Sequence, residues 1–162
     1  MLVVVCGVAG SGKTTIGTLL AQRLAVSYAD ADDFHSESNR RKMAAGLALS
    51  DADRRPWLAA IAAWLDARIA SGEPGVVSCS ALKREYRDLL REGRPSVRLV
   101  FLHVEPEVIA RRLAARHGHF FPDALAASQF QALEAPAEDE PILLIDASPP
   151  PDAVVDAVIA AL

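Results

Sequence analysis

Cysteine, aromatic residues and long apolar stretches are all scarce in this chain. Its two cysteines, Cys6 and Cys79, are too few for a disulfide framework and lack metal-ligand spacing, so reduced thiols are expected. The apolar runs Met1 to Val5 and Val97 to Val104, the latter broken by Arg98 and His103, fall short of the roughly 20 residues that cross a bilayer. No membrane span is expected. The first apolar run has no basic segment before it and leads into a glycine-rich loop instead of a cleavage site, so no secretory signal and a cytoplasmic location are expected. An excess of positive charge is missing too. Against 17 Lys and Arg stand 21 Asp and Glu, a net charge of -4, which disfavours nonspecific binding to nucleic acid or membrane surfaces. Repeats and low-complexity linkers are also absent, and 162 residues that are 51% hydrophobic can form one ordinary core. A single domain over residues 1–162 follows.

What is present is an alternation. Leu2 to Cys6 is a short, continuous, β-branched run of the kind that forms a buried parallel strand, and it stops at Gly7. Ile16, Leu19, Leu20 and Leu24 then recur at helical spacing. Further strands are expected at Val26 to Asp30, Val76 to Cys79, Val97 to Val104 and Pro141 to Asp146. Between them lie helical patterns: Ser36 to Ala45, closed by Gly46; Asp51 to Gly72, with Asp51 as the N-cap candidate and Trp57, Ile61, Trp64, Leu65 and Ile69 facing the core; Leu82 to Leu90; and Val108 to Leu113. A final helix, Val154 to Leu162, begins at the prolines of 149–151. Strands alternating with helices predict a five-stranded parallel sheet covered on both faces, a three-layer α/β/α fold. The stretch 117–140 breaks the rhythm with Phe120, Phe121, Phe130 and an acidic end, and reads as a lid or as a surface excursion.

Gly7-Val8-Ala9-Gly10-Ser11-Gly12-Lys13-Thr14 fits G-x-x-x-x-G-K-[ST] in the strand-to-helix context the mechanism requires. Its glycines let backbone N–H groups wrap phosphate oxygens, Lys13 adds a charge near the β and γ phosphates, and Thr14 is placed to hold Mg²⁺. The loop alone leaves motor ATPases, GTPases and small-molecule kinases open. The only asparagine is Asn39, followed by Arg40, so the Asn-Lys-x-Asp element of guanine-reading GTPases is missing. Ser78-Cys79-Ser80 lacks the acid that completes the metal site of motor ATPases. Asp30-Ala31-Asp32 can supply the missing carboxylates from one strand face, Asp30 toward the metal and Asp32 as base or positioning group for an acceptor hydroxyl.

Four blocks give the chain its resemblance: the phosphate loop; Asp30 to His35 with Asn39, Lys42-Met43 and Asp51 to Leu58; Cys79 to Leu90; and Arg112-Leu113 with Arg116 to Phe121. Together they resemble the gluconate kinase family of small phosphate-loop kinases, related in layout to shikimate and nucleoside monophosphate kinases. Ser36, and Ala48 in Gly46-Leu47-Ala48-Leu49, stand where that family has proline, a change in loop stiffness that removes no charged group.

The resemblance implies a P-loop kinase with a mobile lid at about 117–140 and a substrate-binding helical segment at about 33–72. It also implies transfer of the ATP γ-phosphoryl group to the 6-hydroxyl of D-gluconate, and a homodimer. Residues 7 to 14, Thr15 and Arg112 would hold the nucleotide, and Arg116 would stabilise the transferring group alongside catalytic Lys13 and Asp32. Gluconate needs a guanidinium fork for its carboxylate and short polar groups for its hydroxyls. The candidates are Asp32, His35, Asn39, Arg40, Lys42, Arg54, Lys83 and Arg84, with Arg54, His35 and Arg84 foremost; any single cation among them has solvated or structural alternatives. His103 reads as a packing residue, and His117-x-His119 lacks partners that would complete a metal site. Two other readings stay open at this point: a kinase for another small hydroxy or sugar acid, and a nucleotide-binding regulatory module without catalysis.

Overall fold

The computed structural model describes residues 1–115 and 123–162. Five strands run parallel: β1 (Leu2–Cys6), β2 (Ser27–Asp30), β3 (Gly75–Ser78), β4 (Val97–His103) and β5 (Ile142–Asp146), in the spatial order β2-β3-β1-β4-β5. The helices are α1 (Lys13–Leu24), α2 (Glu37–Ala44), α3 (Asp51–Ser71), α4 (Arg84–Arg91), α5 (Pro106–Ala114), α6 (Asp123–Ala132) and α7 (Pro151–Ala161), with a short 3₁₀ turn at Ala31–Phe34. This is the three-layer arrangement that alternating strands and helices dictate.

Alternation along β1 assigns its side chains to two cores. Leu2, Val4 and Cys6 join α3 and α4 through Trp57, Leu58, Ile61, Leu65, Tyr86 and Leu90 on one face. Val3 and Val5 join α1, α5 and α7 through Ile16, Leu20, Ile109, Val154 and Val158 on the other. The chain passes from β1 leftward to β2 and β3 and then crosses to β4, so the strands diverge at the carboxyl end of β1, where ligands settle in open α/β sheets.

Several local expectations shift. The N-cap of α3 is Ser50, not Asp51: the Ser50 hydroxyl accepts from Asp53 N–H while the Asp53 carboxylate accepts from Ser50 N–H, a capping box. That reciprocal pair satisfies two end amides and frees Asp51 for other contacts. At 21 residues α3 is longer than the strands it crosses. Its Trp57 indole N–H reaches Ala31 O past the end of β2, while Trp64 and Arg68 pack at Gly75, where β3 begins. Ile69 therefore overruns the sheet and is 42% exposed, outside the core stripe the spacing predicts, and Trp64 is only half-buried.

Candidate active site

The phosphate loop is folded by positions only glycine serves well. Gly7 has φ 145°, and a Cβ there would stand 2.7 Å from Ser11 Oγ and 3.0 Å from Leu102 O. Gly12, at φ 99°, is the left-handed entry to α1. Gly7 N–H donates to Ser80 O (3.3 Å), tying the loop to the end of β3, and Lys13 Nζ folds back onto Val8 O (2.9 Å). Burial pulls the Lys13 ammonium below its ordinary value, against the opposing pull of the Asp32 and Asp30 carboxylates.

Asp30 closes β2 as the hub of a small network. Its Oδ2 accepts from Thr14 Oγ1 and from the Tyr28 hydroxyl, both at 3.2 Å, and its Oδ1 accepts from Asp32 N–H at 3.0 Å. Tyr28 also pairs with Ser78 Oγ at 2.7 Å. A Cβ at Gly17 would lie 2.8 Å from the Tyr28 ring, so the glycine in α1 allows that ring its place. The two carboxylates do not alternate along one strand, as the sequence suggests. β2 ends at Asp30, and Asp32 is carried by the 3₁₀ turn that Asp30 itself caps. The side chain of Asp32 is 83% accessible and opens into the cleft. Partial loss of water and the Asp30 charge push its carboxyl up, while Lys13 pulls it down; with so much of it wet, the carboxylate is the form at neutral pH.

One cleft of about 430 Å³ runs from the phosphate loop past both carboxylates to the α2–α3 region. His35 lines its far wall, stacked on Trp57 with ring centroids 4.5 Å apart. Burial and the charges of Arg40 and Arg54 lower His35 to about 4, so the ring is neutral. The Asn39 amide nitrogen lies 3.4 Å from Nδ1, which makes Nδ1 the acceptor and Nε2 the protonated nitrogen, 4.0 Å from Asp32 Oδ1. Arg54 is the lining guanidinium of this wall; it rests over the Tyr86 ring, 5.9 Å from the centroid, and has no carboxylate partner among the described residues. Met43, Leu47 and Leu49 add an apolar side.

The cleft thus gathers Ala9, Gly10, Gly12, Lys13, Thr14, Asp30, Asp32, His35 and Arg54 from the predicted set. Val8 and Ser11 are buried beneath the loop, and Thr15 is exposed on the first turn of α1. The other cations are committed elsewhere. Arg40 braces the turn through Asp33 O (2.9 Å) and His35 O (3.2 Å), and Lys42 pairs with Asp53 (2.7 Å). Lys83 Nζ bonds both Asp51 oxygens at 2.8 Å, and Arg84 makes a fork with Asp139 at 3.0 and 2.8 Å; neither lines the cleft. Arg112 lies behind the phosphate loop, donating to Ala147 O (2.7 Å), Ser148 O (3.3 Å) and Ser11 O (3.4 Å).

Arg116 and His117 to Phe121 lie outside the described residues, as does the start of the lid stretch. Its latter part is tied down: Glu134 N–H donates to Leu82 O (2.9 Å), and Glu140 pairs with Arg87 at 2.8 Å. Sequence reasoning missed Trp57 as a cleft wall, and it missed Gln129, whose Oε1 accepts from Ala9 N–H at 2.6 Å. Helical periodicity marks Trp57 as buried without saying that one ring face meets a cleft. Nothing local to Gln129 signals a contact 120 residues away.

A family model described as shikimate kinase matches residues 9–140. A gluconokinase from Gluconobacter oxydans (strain 621H) is 42% identical over 156 residues, 96% of this chain and 88% of the relative. The crystal structure of a gluconokinase from Sinorhizobium meliloti 1021 superposes with TM-score 0.86 at 43% identity, covering 98% of this chain and 89% of the other. An unliganded sugar kinase from Janibacter sp. HTCC2649 superposes with TM-score 0.91 at 45% identity, covering 98% and 92%. With the strand-loop-helix phosphate site, the acidic turn and near-complete coverage by these relatives, the chain belongs to the gluconokinase family of shikimate-kinase-like P-loop kinases.

Proposed function

We propose that this chain transfers the γ-phosphoryl group of ATP to the 6-hydroxyl of D-gluconate, giving 6-phospho-D-gluconate and ADP. The observation that carries the reading is one continuous cleft lined by the phosphate loop and Lys13, by Asp32, and by Arg54 with neutral His35. An acceptor with a hydroxyl at one end and a carboxylate at the other suits that set of groups. The acceptor oxygen attacks the γ-phosphorus, the bond from phosphorus to the β–γ bridging oxygen breaks, and the hydroxyl proton passes to the Asp32 carboxylate. Lys13 and those amides of residues 7 to 15 that the fold does not itself use hold the phosphates, with Arg112 supporting the loop from behind. Arg54 takes the acceptor carboxylate, His35 donates from Nε2 toward a hydroxyl, and Arg40 keeps the turn bearing Asp32 and His35 in shape.

Thr14 and Asp30 offer a hydroxyl and a carboxylate 3.2 Å apart, hard oxygen donors that suit Mg²⁺, an ion that keeps several waters and shares phosphate oxygens. When bound, Mg²⁺ neutralises charge on the phosphates. A lid within about 117–140, with Arg116 just ahead of it and moving with it, would exclude water, which otherwise competes as acceptor. A substrate-binding segment at about 33–72, a homodimer and a cytoplasmic location complete the proposal; light scattering of the purified chain checks the assembly.

The test supplies MgATP with gluconate, shikimate, other aldonates and nucleoside monophosphates in turn at equal concentration, reading the phosphorylated product by mass spectrometry. Gluconate is the expected preferred acceptor, and clear preference for another overturns the reading. Asp32→Asn is expected to bind ATP normally and to lose at least about a hundredfold in turnover. Unchanged turnover would remove Asp32 as the base.

A further inference from the structure

Asp51 and Arg54 lie three residues apart in the first turns of α3, a spacing at which opposite charges on a helix meet. They form no ion pair among the described residues, because Asp51 is turned to other donors. Both its oxygens accept from Lys83 Nζ at 2.8 Å, and Oδ1 accepts as well from the Tyr86 hydroxyl. Lys83 is the residue that leads into α4, and its ammonium also sits 5.6 Å from the centroid of the buried Tyr86 ring. The same ring underlies the Arg54 guanidinium. One aromatic ring from α4 therefore stands near two cations, and the single carboxylate beside them bonds directly only to the one outside the cleft.

We infer that Lys83 is a positioning residue for the acceptor site: by occupying Asp51 it keeps that carboxylate off Arg54, which stays beside the Tyr86 ring, free for the acceptor's carboxylate. This rests on the reading of Arg54 given above. Without the ammonium, Asp51 turns to the neighbouring guanidinium, and the acceptor must compete with a carboxylate held at high effective concentration. Lys83 is thereby assigned an effect on the acceptor without touching it, the reverse of a direct ligand.

The experiment measures KM for gluconate, KM for ATP and kcat in Lys83→Met, in Lys83→Met/Asp51→Asn and in Arg54→Met. Lys83→Met is expected to raise KM for gluconate about tenfold, the scale of one charge-assisted hydrogen bond lost to the ligand, with kcat and KM for ATP within about twofold. Removing the captor should undo this, so the double variant is expected within about threefold of the parent. A direct ligand would leave the double variant as impaired as the single one, and that result overturns the inference, as does an unchanged KM in Lys83→Met. Should Lys83→Met fail to fold, Lys83→Gln carries the same cycle. Arg54→Met tests the underlying reading separately. An unchanged KM for gluconate there removes both, whereas a raised KM there with normal Lys83→Met kinetics removes the inference alone.

Discussion

Replacing Glu140 with Gln should destabilise the protein far more than a surface substitution would. The Arg87 and Glu140 side chains are 1% and 3% exposed. Arg87 Nε and one terminal nitrogen grip the two Glu140 oxygens at 2.8 Å, and the other terminal nitrogen reaches Leu82 O (3.0 Å), Glu134 O (2.9 Å) and Ala81 O (3.3 Å). The pair bolts the 133–140 segment onto the turn after β3. Glu140→Gln leaves the guanidinium without its counter-charge and turns an amide NH₂ toward guanidinium N–H groups, donor against donor. Breaking a buried pair on one side costs about 3–5 kcal/mol. In a domain of this size each kcal/mol moves Tm by roughly 2–4 °C, so a fall of about 6–20 °C is expected by calorimetry at pH 7. Arg87→Met/Glu140→Leu should recover much of the loss, since neither charge is then buried. The pH dependence has a definite sign. Arg87 holds the Glu140 carboxyl below its ordinary value of 4.5, so the pair's contribution is full above about pH 4.5 and disappears as pH falls through the depressed value. The parent should lose Tm over that acid range more steeply than Glu140→Gln. A Tm drop under about 2 °C at pH 7, with the double variant no better, would refute the reasoning.

Gly7→Ala should displace the phosphate loop, because a left-handed φ and a Cβ 2.7 Å from Ser11 Oγ must both be accommodated. Strain of about 1–3 kcal/mol predicts a rise of roughly five- to 150-fold in the ATP dissociation constant, measured by calorimetry; unchanged affinity would mean the loop adjusts freely. His35 is neutral in the fold, with its value lowered to about 4 from 6.5, so its stabilising contribution is full above pH 6.5 and is lost as pH falls toward 4. Tm followed from pH 7 to 4.5 should fall more in the parent than in His35→Gln, and parallel curves would contradict the burial argument.

Periodicity located the strands to within a residue or so, because most of them are short, largely apolar runs bounded by turns and by helices with their own spacing. Motif chemistry likewise located the phosphate loop, since strand, glycines, Lys13 and Thr14 are contiguous. Ends were less legible. Ser50 outcompeted Asp51 as the cap of α3 because its hydroxyl and the Asp53 carboxylate satisfy each other's amides. Asp32 reached the cleft by a 3₁₀ turn that strand alternation does not describe.

The basic residues mark the boundary most clearly. Arg54, Lys83 and Arg84 are equally charged in the sequence, and composition gives no reason to rank one above another as a ligand. Only the fold brings Asp51 to Lys83 and Asp139 to Arg84 while leaving Arg54 beside the cleft. Covalent neighbours and residue types therefore determined the sheet, the phosphate loop and the family. Which charges meet across 32 or 55 residues was decided by packing, because pairing energy depends on distance and burial that no local spacing encodes.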